Sequence, residues 1–354
     1  MSVPKATPLI VSEANTIHTN QNAKGRSKHM LKTNTARLCA ALLLTAAAST
    51  ASAQETIYGI GGSGFTPTTT SLFSFRSNAP GVLTTVGNVT GIASGYTLRA
   101  IDFRPATGQL YGLAYDGAAN AQLYTLSLTT GVATVQGSVF NVGNATGTAS
   151  LSIGIGFNPS VDLIRVVTGT NGNFRINPTT GAIVTTNGVD GGLAYAAGDL
   201  RASSNYQITD ADYTTDARLF DVDYTNGALV QQNPPNNGTL NSIVQGGVAT
   251  TLGFTPKNGA TNVGFDIGRT NIGYLSESVN TDTGVQERLF NVDLITGSAT
   301  SVGLIGTDTN FNTLDIAVMV PEPGTYALCA FGLVALAYST RLHRRKLAAV
   351  RGGR

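Results

Sequence analysis

Carboxylates are the side chains with which this chain could do chemistry. Five lie in Thr209-Asp-Ala-Asp-Tyr-Thr-Thr-Asp-Ala-Arg-Leu-Phe-Asp-Val-Asp223, at Asp210, Asp212, Asp216, Asp221 and Asp223. Oxygen donors at this density suit a hard cation such as Ca²⁺, and two carboxylates across a cleft are the equipment of a glycoside hydrolase. The spacing does not follow the EF-hand order, and Asp221 and Asp223 alternate with Phe220 and Val222 like the polar face of a strand. The stretch therefore reads as solvated turn and strand aspartates, and whether any of them takes a metal is left open. Arg165 and Arg175 stand in or beside apolar runs. With Asp102 or Asp266 they could line a central channel, as structural ion pairs rather than a substrate clamp. No catalytic residue and no cofactor is assigned.

Other chemistries are excluded by what the middle of the chain lacks. The histidines are His18, His29 and His343 and the cysteines Cys39 and Cys329, so residues 54–320 contain neither type. That removes Ser-His-Asp and Cys-His catalysis, His-ligated zinc, haem attachment and a disulfide framework from this region. Residues 54–320 carry 10 basic and 18 acidic side chains, a net charge of 10 − 18 = −8, and Lys257 is the single lysine there. With no basic stripe, nucleic acid is not expected as a partner. The tyrosines of this region recur at equivalent strand positions, where core packing is the default over sugar stacking.

These side chains must be positioned by a repeat. Arg288–Gly303 reads as strand, tight turn and strand: Phe290, Val292 and Leu294 share one face, and Thr296-Gly297 makes the turn. The unit recurs around Phe73, Tyr124, Phe174 and Phe220, with steps of 51, 50, 46 and 70 residues from one central aromatic to the next. The second unit shows four strands, at Ile101–Phe103, Leu110–Leu113, Leu123–Leu126 and Val132–Val135. The third shows Ile153–Pro159, Leu163–Val167, Phe174–Asn177 and Ile183–Thr186, and the last Val263–Ile267, Ile272–Ser276, Leu289–Leu294 and Ala299–Val302. Four antiparallel strands per repeat predict an all-β propeller over residues 54–319, of five four-stranded blades. Ile57–Ile60 matches the second strand of a unit and Leu314–Val318 the first, so the N- and C-terminal strands are expected to pair and close the ring. The unit at about 190–235 is the least regular, and an open pair of β-sandwich sheets is the alternative.

The flanking segments are addresses rather than fold. Residues 1–29 are polar and aperiodic, expected to be disordered or a mis-called start ahead of Met30. Residues 30–53 have the basic, apolar and small-residue sections of a signal peptide, with Ala51 and Ala53 placing signal-peptidase cleavage before Gln54. Beyond the repeats, Pro321, Glu322 and Pro323 precede an apolar run, 325–340, predicted as a transmembrane helix of about 24 Å against a hydrocarbon core of about 30 Å. Arg341, Arg344 and Arg345 follow as a cytoplasmic anchor, and 347–354 is a cytoplasmic tail.

The order Pro-Glu-Pro, apolar run and basic cluster over 320–346 resembles the PEP-CTERM sorting signal. That resemblance implies processing by an exosortase, a membrane cysteine protease-transpeptidase of Gram-negative bacteria, often those that make exopolysaccharide. The repeats resemble the DUF4394 type of secreted domain, through Ile101-Asp-Phe-Arg-Pro, Gly154-Ile-Gly-Phe-Asn-Pro, Asn173-Phe-Arg-Ile-Asn-Pro, Gly192-Leu-Ala-Tyr-Ala and Gln232-Asn-Pro-Pro-Asn-Asn-Gly-Thr-Leu240. This resemblance implies a fold and no reaction. The expectation is a non-catalytic exported protein that starts as an inner-membrane precursor and ends at the cell surface or outside the cell. Its expected partners are signal peptidase, exosortase and exopolysaccharide. The alternative is a polysaccharide-acting glycoside hydrolase using channel carboxylates.

Overall fold

Each repeat folds as an antiparallel sheet, and the first strand of each sheet faces the centre of a ring. The computed structural model describes residues 54–63, 69–143, 152–186, 188–254, 263–281, 284–307 and 311–319. The chain divides into a unit ending at Ala53 and one beginning at Gln54, and all described residues belong to the second. The predicted signal peptide with Ala51 and Ala53, the motif Pro321, Glu322 and Pro323, the apolar run 325–340 and Arg341, Arg344 and Arg345 lie outside the described residues. Among the described residues no helix is long and apolar enough to cross a membrane.

Blade 1 contains β1 (Thr56–Ser63), β2 (Ser71–Arg76) and β3 (Ala79–Asn88), with β22 (Phe311–Val318) on the inside. Blade 2 is β4 (Thr97–Phe103), β5 (Leu110–Tyr115), β6 (Asn120–Leu126) and β7 (Ala133–Asn141). Blade 3 has β8 (Ile153–Asn158), β9 (Leu163–Thr168) and β10 (Asn173–Ile176). In blade 4, β12 (Ile208–Tyr213), β13 (Leu219–Asp223), β14 (Ala228–Gln232) and β15 (Thr239–Ser242) are joined by β11 (Ala194–Tyr195), which runs parallel to β15. Blade 5 is β18 (Val263–Ile267), β19 (Ile272–Thr281), β20 (Gly284–Asp293) and β21 (Ala299–Leu304). A short hairpin, β16 (Val244–Gln245) with β17 (Val248–Ala249), stands apart. The inner strands touch in cyclic order β22, β4, β8, β12, β18 and back to β22.

Ring closure follows the expected register. Ile57 pairs with Val318, Tyr58 with Ala317, Gly59 with Ile316 and Ile60 with Asp315. The third blade departs from expectation. Ile183–Thr186 does not form a fourth strand; it contributes a single bridge, Ile176 to Ile183. After that contact the backbone turns into the loop that carries Asp190.

The hairpin turns repeat one device. The side chains of Ser127, Asn177 and Asp293 each accept two amides two and three residues on, and Gly131, Gly181 and Gly297 take the positive φ that follows. Packing is organised by interfaces, because each sheet buries both faces against its neighbours. Four apolar clusters fill the joints between blades 1 and 2, 2 and 3, 4 and 5, and 5 and 1. Between blades 3 and 4 the apolar cluster is built from blade 4 and its neighbouring loop, and the strands of blade 3 add only Val167.

Candidate functional site

The inner strands repeat an aspartate flanked by apolar residues: Ile101-Asp102-Phe103, Asp210-Ala211-Asp212, Phe265-Asp266-Ile267 and Leu314-Asp315-Ile316. All five carboxylates are buried. Each accepts a backbone N–H from the inner strand of another blade. Asp315 takes the amide of Ile101 at 2.6 Å, Asp102 that of Phe157 at 2.6 Å, Asp210 that of Phe265 at 2.7 Å and Asp212 that of Ile267 at 2.8 Å. Asp266 takes the amide of Val318 and joins the last blade to the first. The inner strands of a propeller have no room to pair with one another as a ladder, so these side chains satisfy amides that would otherwise be buried unpaired.

Only the step from blade 3 to blade 4 lacks such an aspartate. The corresponding strand reads Ile153-Gly-Ile-Gly-Phe157, and its glycines lie directly against Asp210 and Asp212 of β12.

Burial pushes the carboxyls of Asp102, Asp210, Asp212 and Asp315 well above the ordinary range, and neighbouring carboxylates push them further; burial also raises Asp266. Asp212 hydrogen-bonds to Asp266 and Asp210 to Asp315. A bond between two carboxyl groups needs a proton on one of them, so each pair can hold a proton between its members. At one end of the channel, oxygens of Asp102, Asp212 and Asp266 come within 4.8 Å of one another. They line a cavity of about 110 Å³ with Phe157, Tyr213 and Arg269. Three carboxylates are a donor set for a hard cation such as Ca²⁺, but each of these three already serves a neighbouring blade.

The reading of 209–223 as solvated aspartates is overturned. Asp210, Asp212, Asp221 and Asp223 are all buried; of the five, Asp216 is the exposed one, paired with Arg218. The period-2 pattern identified the strand correctly, but in a propeller both faces of a blade are interior. Asp223 caps the β13–β14 turn through the amide and side chain of Asn226 and accepts the Tyr195 hydroxyl. Asp221 faces the joint with blade 3. The recurrence of an apolar-Asp-apolar triplet at the first strand of several units was the signal available for the inner aspartates.

Arg165 and Arg175 form ion pairs, as expected, but not with Asp102 or Asp266. They sit opposite each other on β9 and β10, and Asp190 bridges them, 2.6 Å from Arg165 and 2.7 Å from Arg175. Arg165 also donates to Asn173 and Asn236, both at 2.8 Å. Asn173 in turn takes the Gln232 side-chain amide. This network replaces an apolar core between blades 3 and 4.

Five blades around inner strands tied by carboxylate-to-amide bonds make the protein a five-bladed β-propeller. The chain belongs to the family described as a domain of unknown function, DUF4394, whose match spans residues 71–317. Residues 320–346 match the PEP-CTERM protein-sorting motif, which marks the chain as an exported, exosortase-sorted protein of the Gram-negative type. No curated protein matches the chain. Among solved structures, a protein of unknown function from Bacteroides thetaiotaomicron VPI-5482 is similar at 14% identity and a TM-score of 0.42, over 75% of this chain and 65% of that one. A nidogen/laminin complex is similar at 8% identity and a TM-score of 0.39, over 76% and 99%. Virginiamycin B lyase from Staphylococcus aureus is similar at 14% identity and a TM-score of 0.34, over 69% of each chain.

Proposed function

We propose that this is a non-catalytic exported protein of the cell surface or extracellular matrix, and that it associates with exopolysaccharide. The observation that carries the reading is the use made of the channel carboxylates. Asp102, Asp210, Asp212, Asp266 and Asp315 each hold a neighbouring blade by its backbone, which is a structural task. The cavity beside three of them, about 110 Å³, is well below the several hundred cubic ångströms of a ligand pocket. The sorting motif adds the address. Before processing, the run 325–340 holds the precursor in the inner membrane, with Arg341, Arg344 and Arg345 on the cytoplasmic side.

One observation favours glycoside hydrolysis instead. Carboxylate oxygens within 4.8 Å, with carboxyls raised by burial, approach the separation of roughly 5–5.5 Å used by retaining glycosidases. Incubating the purified protein with exopolysaccharide from its own host separates the two readings. Retention of the polymer without new reducing ends is expected. Turnover that is abolished by Asp102→Asn or Asp212→Asn would overturn the non-catalytic reading. Mass spectrometry of the exported pool tests the address: the C-terminus should end near Pro321–Pro323, and an exported chain intact through Arg345 contradicts exosortase processing.

A further inference from the structure

The joint between blades 3 and 4 carries a charged network of two arginines and an aspartate that, among the described residues, the other four joints lack, and it opens into a cleft with charged groups in its floor. The cleft measures about 420 Å³ and is lined by Asn158, Leu163, Arg165, Arg175, Tyr213 and Asn236, among others. Its floor is built. The Arg165 side chain is 1% exposed and that of Asp190 3%, so both are fixed by their surroundings. The Arg175 side chain is 13% exposed and reaches the cleft. Its Nε and Nη2 are spent on Asp190 and the Thr186 carbonyl, while Nη1 has no partner among the described residues.

Charge points the same way. Two guanidiniums face one carboxylate, Asp190. Asp221, which interacts with Arg165, is buried with neither carboxylate oxygen hydrogen-bonded, and burial pushes it toward the neutral form; Asp162, between the lining residues Val161 and Leu163, is already paired with Arg104. The cleft therefore keeps an unbalanced positive charge in a region whose net charge is −8 (10 basic, 18 acidic). An anion docked on Arg175 Nη1 would balance it through a charge-assisted hydrogen bond. The remaining lining is the mixture that recognises a sugar ring: the amides of Asn158, Asn236 and Asn237, the Tyr213 hydroxyl, and the apolar edges of Leu163, Pro234 and Pro235. Exposed Val161, Asn236 and Asn237 stand at the rim.

We propose that this cleft binds a carboxylated saccharide, a uronate unit within a polymer, with its carboxylate on Arg175 and its ring against Tyr213 and Asn236. The proposal rests on the exopolysaccharide reading above and narrows it to an acidic polymer.

Calorimetry with the full chain in detergent micelles tests it, using trigalacturonate, neutral galactotriose and inorganic phosphate as probes. Trigalacturonate should bind saturably, with affinity falling as salt rises, and galactotriose should not. Loss of one charge-assisted contact in Arg175→Gln should weaken trigalacturonate about tenfold or more, in a protein that still unfolds cooperatively although at a lower melting temperature, because Asp190 loses one of its two partners; Arg175→Lys should recover part of the loss. Arg165 is left alone because its substitution would disturb the fold. Equal binding by Arg175→Gln, no saturable binding of trigalacturonate, or displacement of it by phosphate at equal concentration would each overturn the cleft assignment. Co-sedimentation with the host's exopolysaccharide separates the levels. If the polymer pulls down wild type and Arg175→Gln equally, the cleft assignment fails and the surface function stands. If it pulls down neither, both fail.

Discussion

Glu55 accepts a hydrogen bond from the Tyr274 hydroxyl, 2.8 Å away and 219 residues along the chain. The same carboxylate takes the amide of Arg269 at 2.9 Å, and its own backbone exchanges bonds with Ser77. Glu55 thus fastens the start of blade 1 to the β18–β19 turn of blade 5, beside the pairing of β1 with β22.

Ring closure therefore rests on two latches, and each can be removed separately. Glu55→Ala leaves the Arg269 amide and Tyr274 hydroxyl buried without their acceptor, at a cost of about 3 kcal/mol. Glu55→Gln keeps one acceptor and should cost less. Deleting 54–61 removes both latches, exposes the edge of β22 and should abolish the cooperative unfolding transition. Thermal unfolding measures all three; a deletion that keeps the full melting temperature would show that the ring does not close through β1.

The inner aspartates give the protein an unusual dependence on pH. Folded-state values of Asp102, Asp210, Asp212 and Asp315 lie above the unfolded value, which is near about 4. The folded state therefore binds more protons than the unfolded state in that window. The stability they contribute is fully present below the unfolded value and is lost as pH rises through the folded ones. The melting temperature should be higher at mildly acidic pH than at neutral pH. Asp102→Asn keeps an acceptor for Phe157 without a charge to desolvate, so it should flatten the profile. Asp102→Ala leaves that amide unpaired and should cost about 1–3 kcal/mol at any pH. A melting temperature that climbs from mildly acidic to neutral pH would contradict the assignment.

Asp190 is the second place where removing one carboxylate should be severe. Arg165 and Arg175 are cross-strand neighbours, and like charges directly opposite destabilise a sheet pair. Asp190→Asn removes the charge that holds them together, an uncompensated buried charge costing about 3–5 kcal/mol. Chemical denaturation would register it; a loss below about 1 kcal/mol would mean that solvent or Asp221 already balances the pair.

The repeat, the five blades and the closing strand were legible because period-2 alternation and the Thr-Gly or Asn-Gly turns are local signals. The destinations of the aspartates were not. Alternation assigns Asp221 and Asp223 to the face opposite Phe220 and Val222, but whether that face meets water depends on the neighbouring blade. Arg165 was recognised as an ion-pair residue, while its partner Asp190 lay in a loop with no strand pattern to place it. Glu55 had no signal, because its partners Arg269 and Tyr274 come from the far end of the ring. The fourth strand expected at Ile183–Thr186 failed because the chain leaves after one bridge to deliver Asp190.

Gly154 and Gly156 together explain why blade 3 alone has no inner aspartate: Gly264 of blade 5 also lies close against Asp315, but that strand carries Asp266 where blade 3 has Gly156. A Cβ at that position would overlap Oδ1 and Cα of Asp210, and at Gly156 it would press on the backbone of Ala211 and Asp212. Neither glycine has a positive φ, so the restriction is space and not backbone conformation. An alanine in relaxed extended backbone would ordinarily be neutral or slightly stabilising. Gly154→Ala should instead cost about 3 kcal/mol or more, since the overlap includes backbone that cannot rotate away. Adding Asp210→Ala should not restore stability, because the Cα remains and the amide of Phe265 loses its acceptor. Gly95→Ala is the control: its φ is 84° but a Cβ there meets nothing within 4 Å, so it should cost only the conformational penalty of about 1–2 kcal/mol. If Gly154→Ala proves milder than Gly95→Ala, close packing of β8 against β12 is not what excludes a side chain from this strand.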